Sequence, residues 1–278
     1  MPSNRDLVFS GKYIVFEGPD GNGKSTQVRL LKDGLKKMKF RCFVTKEPTE
    51  WSLFGQLVRD IYVATPEETH QMLYLFRHGT PLAEFRYALL FKNRLQSYIN
   101  QFIEKIEIYL DGDKNSLKYD LLTEIIQRAI TFDRLLHMMY SVTPALSQGK
   151  VVISDRNFLS TLVYGRNVES YYEMQKGVLE NWFLKPDITF ILSVSLKEGM
   201  RRIRNRYAEK LDLFEIEEIQ KDVHTRYQTL SNTASMKALD IGKEVVSLDG
   251  NKEYDETAEE VFKTLLNLKV FGDALQNL

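Results

Sequence analysis

Residues 13–27 read YIVFEGPDGNGKSTQ. A mostly apolar run of aromatic and β-branched residues leads into a turn with three glycines, and the turn closes on Lys-Ser-Thr. The first half has the length and apolar continuity of a strand buried on both faces of a parallel sheet. The second half satisfies G-x-x-x-x-G-K-[ST] with Gly18, Gly23, Lys24 and Ser25. Glycines let the backbone wrap closely. The chain from Gly18 through Asp20, Gly21, Asn22, Gly23, Lys24, Ser25 and Thr26 can therefore turn its N–H groups, and the N-terminus of the next helix, toward phosphate oxygens. Lys24 reaches the β- and γ-phosphates in such a loop, and the Ser25 hydroxyl takes Mg2+. The bare pattern also turns up in ordinary strand-to-helix turns. A strand before it and a helix after it are the context that makes it a nucleoside triphosphate site.

The same apolar signal recurs in RCFVT (41–45), VVIS (151–154), ITFILSV (188–194) and EVVSL (244–248). Between these runs lie helical patterns. STQVRLLKDGLKKM places Val28, Leu31 and Leu35 on one face, and DETAEEVFKTLLNL does the same with Ala258, Val261, Phe262 and Leu265. Strands alternating with helices predict an α/β protein: a doubly wound, five-stranded parallel sheet flanked by helices, of the P-loop NTPase kind. Ligands of such sheets bind outside the carboxyl ends of the strands, so functional residues are expected just after each run. From 52 to 148 the rhythm breaks, with helical patterns and no strand signal. We read one domain over 1–278 with a helical insertion at about 75–122, in which Phe85, Tyr87, Leu90, Phe91, Leu95, Tyr98 and Phe102 make an apolar stripe.

Bulk composition narrows the classes. Lys plus Arg equals Asp plus Glu at 38 each, so net charge argues for neither a nucleic-acid nor an anionic-membrane partner. Cys42 is the single cysteine, which excludes an intrachain disulfide and fits a reducing compartment. The N-terminal residues lack the basic-then-apolar pattern of a signal peptide, and the most apolar run is too short to span a bilayer. The expectation is a cytoplasmic protein.

After the strand-like runs come KEPTEW (46–51), DRNFLSTLVYG (155–165), KEGMRRIRNRYAEKLDLFE (197–215) and DGNKEYDETAEEV (249–261). With these segments in place the chain resembles the thymidylate kinase family of nucleoside monophosphate kinases. FEGPDGNGKSTQ is similar to that family's phosphate loop, including the acidic Asp20, and TKEP is similar to its T-R-E-P segment. FDRLLHMMYSVTPALSQGKVVISDRNFLSTLVYG follows the family's D-R-x-x-H, P-A-L, D-R and S-T-x-x-Y block in order and spacing. The resemblance covers residues 12–50 and 123–270.

The residues make chemical sense beside the resemblance. Moving a phosphoryl group between two anions crowds negative charge, so catalysis is mainly positioning and neutralisation. Lys24 serves the donor. Asp155, at a strand end, is placed to hold the water shell of a Mg2+ on Ser25. Arg156 can clamp the acceptor phosphate with its bidentate fork, a role the resemblance also assigns, together with a positioning role for Asp20. The plain alternative for Asp155-Arg156 is a surface ion pair. In MRRIRNRYAEKLDLFE, Arg202 and Arg206 share a helical face while Arg204 points elsewhere. The resemblance makes residues 201–215 a lid whose arginines reach the transferring group, because the phosphate loop itself carries no arginine. A solvated charged face is the plain alternative.

For the acceptor, the resemblance implies ATP and dTMP as substrates, with Glu47, Pro48, Ile130, Arg134, Arg156, Ser160, Thr161 and Tyr164 around the nucleoside monophosphate. It also implies a homodimer. Plain alternatives are a surface ion pair of Arg134 with Asp133 and a core role for Tyr164. Several positions depart from the family pattern. Ile130 stands where an aromatic stacks on thymine, Asn157 replaces the tyrosine after D-R, Thr49-Glu50 replace Gly-Gly, and Leu213 replaces the arginine of D-R-F-E. Losing aromatic stacking costs about 0.5–1.5 kcal/mol, enough to relax base preference. The expectation is a dTMP kinase, with a kinase for another deoxynucleoside monophosphate as the alternative. A nucleotide-switched module of GTPase type would need Asn-Lys-x-Asp, and NKEY (251–254) lacks the aspartate. A family member decayed into an ATP-dependent scaffold is the third reading.

Overall fold

The computed structural model describes residues 9–78, 96–111, 118–165, 183–206, 212–230 and 242–271. Its contacts divide the chain into two units, 1–47 with 135–278, and 48–134.

The first unit holds five strands: β1 (Lys12–Glu17), β2 (Cys42–Lys46), β3 (Val151–Asp155), β4 (Ile188–Ser193) and β5 (Glu244–Asp249). They form one sheet in the order β2-β3-β1-β4-β5, and every pairing is parallel. The predicted strands all appear, with boundaries moved by a residue or two. Helix α1 (Lys24–Lys37) follows the glycine turn directly. Ile14 and Phe16 of β1 join Val28, Leu31 and Leu35 of α1 in the core, with Phe190 of β4 stacked on Phe16 at 5.3 Å. The alternate residues Tyr13 and Val15 are equally buried, so β1 is covered on both faces. That double burial is why the central runs are continuously apolar rather than alternating. The outer strands differ. β2 and β5 have mostly half-buried or exposed positions, with Val44 exposed, because an edge strand has a neighbour on one side only.

The second unit is helical where described: α2 (Leu53–Val63), α3 (Pro66–His78), α4 (Gln96–Asp111) and the part of α5 (Lys118–His137) up to Arg134. Phe54, Phe76, Phe102 and Phe132 pack together, with Phe54 and Phe132 stacked at 4.9 Å. Phe132 is thus a core residue. At the start of α2, Ser52 accepts the Gly55 N–H as its N-cap. Asp133 accepts the Thr49 N–H at 2.8 Å and both hydroxyls of Thr49 and Ser52. Asp133 and Arg134 are 0% and 1% exposed, so a surface ion pair does not describe them. Of the expected insertion stripe, Phe102 is buried, whereas Phe85, Tyr87, Leu90, Phe91, Leu95 and the Tyr98 side chain lie outside the described residues. Among the described residues no helix is long and apolar enough to cross a membrane.

Chain order in the first unit continues after α5 with a single π-helical turn (Met138–Val142), α6 (Thr143–Ser147), α7 (Phe158–Tyr164), α8 (Leu196–Arg206), α9 (Glu217–Leu230) and α10 (Tyr254–Asn267). Gly34 of α1 lets α10 come close, because a Cβ there would stand 2.3 Å from the Phe262 ring. Removing the Phe190 ring should leave a cavity between β4 and β1. Phe190→Ala is expected to cost about 3–5 kcal/mol and to lower Tm by roughly 10 °C, read by a thermal melt.

Candidate active site

The carboxyl ends of β1 and β3 place the two halves of the site side by side, since Phe16 pairs with Asp155. The turn after β1 needs glycine at two places for different reasons. Gly21 has φ of 73°, and a Cβ on it would meet the Gly199 carbonyl of α8 at 2.3 Å. Gly23 caps α1 in the left-handed region at φ 91°, with the Tyr254 ring beside it. Lys24 is nearly buried, and its ammonium donates to Gly18 O at 2.9 Å, Pro19 O at 2.7 Å and Asn22 Oδ1 at 3.1 Å. These three bonds use all its protons. Burial pushes its pKa down to about 8, against the pull of Asp20, Asp155 and Glu17. Asn22 points inward instead of to solvent: its Nδ2 donates to Leu192 O, so only its backbone can face a ligand.

At the end of β3, Asp155 Oδ2 accepts the Ser25 hydroxyl at 2.6 Å. Arg156 follows with φ of 73°, a conformation that costs a branched-free side chain about 1–3 kcal/mol and clusters at functional sites. Its Nη2 donates to Asp20 Oδ1 and, at 3.2 Å, to the Tyr164 hydroxyl, while Nη1 donates to Ser160 Oγ at 2.9 Å and Gly18 O at 3.3 Å. Tyr164 completes the ring by donating to Asp20 Oδ2 at 2.6 Å. Burial works against the Asp20 charge, but Arg156 and then Lys24 overrule it and hold the carboxyl well below its usual range. This is a half-buried, closed network rather than a surface ion pair.

Helix α8 supplies the other wall. Arg202 donates from Nε to Glu198 at 2.6 Å and lies over the Tyr254 ring at 5.3 Å. Its Nη1 is buried with no hydrogen-bond partner among the described residues, and it sits 3.8 Å from where a Gly23 Cβ would be. Arg206 pairs with Glu215, and Arg204 pairs with Glu217 at 2.7 Å, away from the loop. The middle of the expected lid, 207–211, lies outside the described residues. Past it, Asp212 accepts the N–H groups of Phe214 and Glu215 at 2.8 and 3.0 Å.

One open cleft of about 640 Å³ gathers Asp20, Gly21, Asn22, Gly23, Lys24, Ser25, Thr26, Glu47, Asp155, Arg156, Arg202 and Arg206, with Lys46, Arg201, Asn205 and Tyr254. Gly18, Ser160, Thr161 and Tyr164 do not line it. They stand behind it, where Gly18, Ser160 and Tyr164 bond Arg156 and Thr161 is buried. Glu47 is buried against His137 Nδ1 at 3.0 Å, and His137 Nε2 meets the Thr45 hydroxyl at 2.6 Å. Pro48, Ile130 and Arg134 belong to the second unit, where Ile130 and Arg134 are buried. Sequence reasoning missed Glu17, Gln220 and Tyr227. Gln220 Nε2 ties Asp20 Oδ2 at 3.1 Å to Phe214 O at 2.8 Å. A seven-residue spacing puts Gln220 and Tyr227 on one face of α9, a signal that periodicity could have flagged.

A phosphate-wrapping turn between strand and helix, a neighbouring strand end bearing Asp-Arg, and a facing helix of arginines describe a P-loop kinase. The thymidylate kinase family profile matches residues 16–80 and 100–249. A probable thymidylate kinase of Thermococcus kodakarensis is 30% identical over 223 residues, which is 79% of this chain and 83% of that protein. A thymidylate kinase of Prochlorococcus marinus is 29% identical over 243 residues, covering 85% of this chain and 93% of that protein. One from Desulfotalea psychrophila is 26% identical over 222 residues, with 80% and 82% covered. The chain belongs to the thymidylate kinase family.

Asp212 offers a pH readout on the segment that precedes α9. Burial, then Asp20 and Glu215, raise its pKa to about 6. A carboxyl raised on folding destabilises the fold as pH climbs through the unfolded value toward the folded one, and the cost is fully present above it. Asp212→Asn keeps the acceptor oxygen for both N–H groups. It should melt higher than the parent at pH 8 and equal to it at pH 3, with the gap opening between about 4 and 6.

Proposed function

We propose that this chain is a nucleoside monophosphate kinase that moves the γ-phosphoryl group of ATP to dTMP, giving ADP and dTDP. The Asp20–Arg156–Tyr164 network carries the reading. It stands directly against the phosphate loop, where a second phosphorylated substrate must be held for transfer. ATP phosphates lie on the backbone N–H groups from Gly21 to Thr26 and the N-terminus of α1. Lys24 exchanges one or more of its three loop oxygens for β- and γ-phosphate oxygens. Arg156 exchanges part of its Asp20 contact for the acceptor phosphate, and its buried surroundings keep the fork oriented. Arg202, with a buried N–H facing the loop, is the lid arginine of this reading, and Arg206 joins when it leaves Glu215. The acceptor oxygen then attacks the γ-phosphorus while the ADP oxygen leaves in line.

Ser25 and Asp155 fit a Mg2+ site: a hydroxyl and a carboxylate lie within 2.6 Å of one another at the cleft wall. Among the described residues no cluster of three or more His, Cys, Asp or Glu forms a metal cage. Mg2+ suits such a sparse donor set, because it keeps several waters and takes its other ligands from phosphates. When bound it neutralises charge on the β- and γ-oxygens. Glu47, Pro48, Ile130, Arg134, Ser160, Thr161 and Tyr164 keep the acceptor role that the resemblance implies, and the homodimer is part of the same proposal.

An ADP-release assay with Mg-ATP and a panel of nucleoside monophosphates tests the activity, with dTMP expected to turn over fastest. Preference for a purine would overturn the acceptor assignment. Lys24→Ala and Arg202→Ala should each lower kcat/KM by about 100-fold or more, the loss typical of one transition-state donor. Arg204→Ala, directed away from the loop, should stay within about twofold, as an exposed ion pair contributes little.

A further inference from the structure

Glu17 ends β1, is 0% exposed, and has no task in the transfer just described. Four donors surround its carboxylate. Oε1 accepts the N–H groups of Asn157 at 2.8 Å and Ser160 at 3.2 Å. Oε2 accepts the Ser160 hydroxyl and, at 3.0 Å, the Tyr227 hydroxyl. None of these contacts needs a proton from Glu17, so the cage suits the ionised form. Burial pushes the Glu17 pKa up, and the Ser160 hydrogen bond and the Arg156 charge pull against that rise.

Ser160 Oγ gives its proton to Glu17 and accepts one from Arg156 Nη1 at 2.9 Å. Arg156 therefore hangs between two carboxylates. On the Nη2 side it meets Asp20 at the cleft wall, where an incoming phosphate competes. On the Nη1 side it meets Glu17 through one hydroxyl, and Glu17 and Ser160 are both buried. The backbone is pinned as well, since Arg156 N–H donates to Phe16 O at 2.9 Å and the Ser154 hydroxyl donates to Arg156 O at 2.8 Å.

We propose that Glu17 is the positioning residue of the acceptor clamp: acting through Ser160, it anchors one side of the Arg156 guanidinium while the Asp20 side exchanges with the acceptor phosphate. Tyr227 extends the anchor to α9, the helix whose Gln220 touches Asp20. The inference rests on Arg156 holding the acceptor, and the experiment separates the two. KM for dTMP and for ATP are measured in the full chain for the parent, Glu17→Gln, Arg156→Ala and the double variant, each checked by a thermal melt. Glu17→Gln should raise the dTMP KM about tenfold, the worth of one charge-assisted hydrogen bond, and leave the ATP KM within about twofold. In the Arg156→Ala background the same change should add nothing to the dTMP KM. An equal rise in both backgrounds, or an unchanged dTMP KM, would assign Glu17 a purely structural role and overturn the inference. An unchanged dTMP KM in Arg156→Ala alone would instead overturn the clamp. Tyr227→Phe fills the same volume and removes a single donor. If Glu17→Gln does not fold, the Tyr227→Phe cycle against Arg156→Ala decides by the same criterion, with a rise of about threefold expected.

Discussion

The contact between Asp20 and Arg156 joins the ends of two adjacent parallel strands, and the rest of the site is arranged around it. Asp20 rides on the phosphate turn after β1, and Arg156 is the first residue after β3. Parallel register puts Phe16 opposite Asp155, so the two following residues emerge on the same edge of the sheet. Neither charge would be stable half-buried on its own. Together they need the Tyr164 hydroxyl, the Ser160 hydroxyl and the Gly18 carbonyl to satisfy the remaining valences. Strain at the Arg156 backbone is tolerated because strand pairing and these hydrogen bonds over-determine it.

The cationic groups are thus stored against internal partners. Lys24 lies on loop carbonyls, Arg156 on Asp20, and Arg206 on Glu215. A dianionic or trianionic substrate can exchange these contacts one for one, which avoids leaving several cations unscreened in a cleft. Arg202 rests on Glu198 through Nε, but its buried Nη1 finds no partner among the described residues. A donor left unsatisfied costs about 1–3 kcal/mol, a cost that a phosphate oxygen would relieve.

The departures from the family pattern read differently once the packing is known. Asn157, standing where tyrosine is usual, donates from its side chain to the hydroxyl of the buried Tyr13 at 3.2 Å. Phe132, near the position of the missing stacking aromatic, is committed to the ring cluster with Phe54 and Phe102. Thr49, in place of a glycine, binds Asp133 through both its N–H and its hydroxyl.

Sequence alone determined the strands, the phosphate-loop spacing and the family-like block at 132–165, because continuous apolar runs, a glycine spacing and an ordered set of motifs are all local patterns. Asp155, Arg156 and the arginines of α8 were legible for the same reason, since each follows a strand or repeats at helical spacing. Other features depended on residues far apart in the chain. Ser160 and Tyr227 caging Glu17, Gln220 reaching Asp20, and Arg202 facing the loop while Arg204 faces away were decided only by the tertiary structure. Hydrogen bonds across 140 to 210 positions leave no periodic trace. A charged side chain in a strand end or a helix reads the same whether it meets water or a buried partner, and only the packing distinguishes the two.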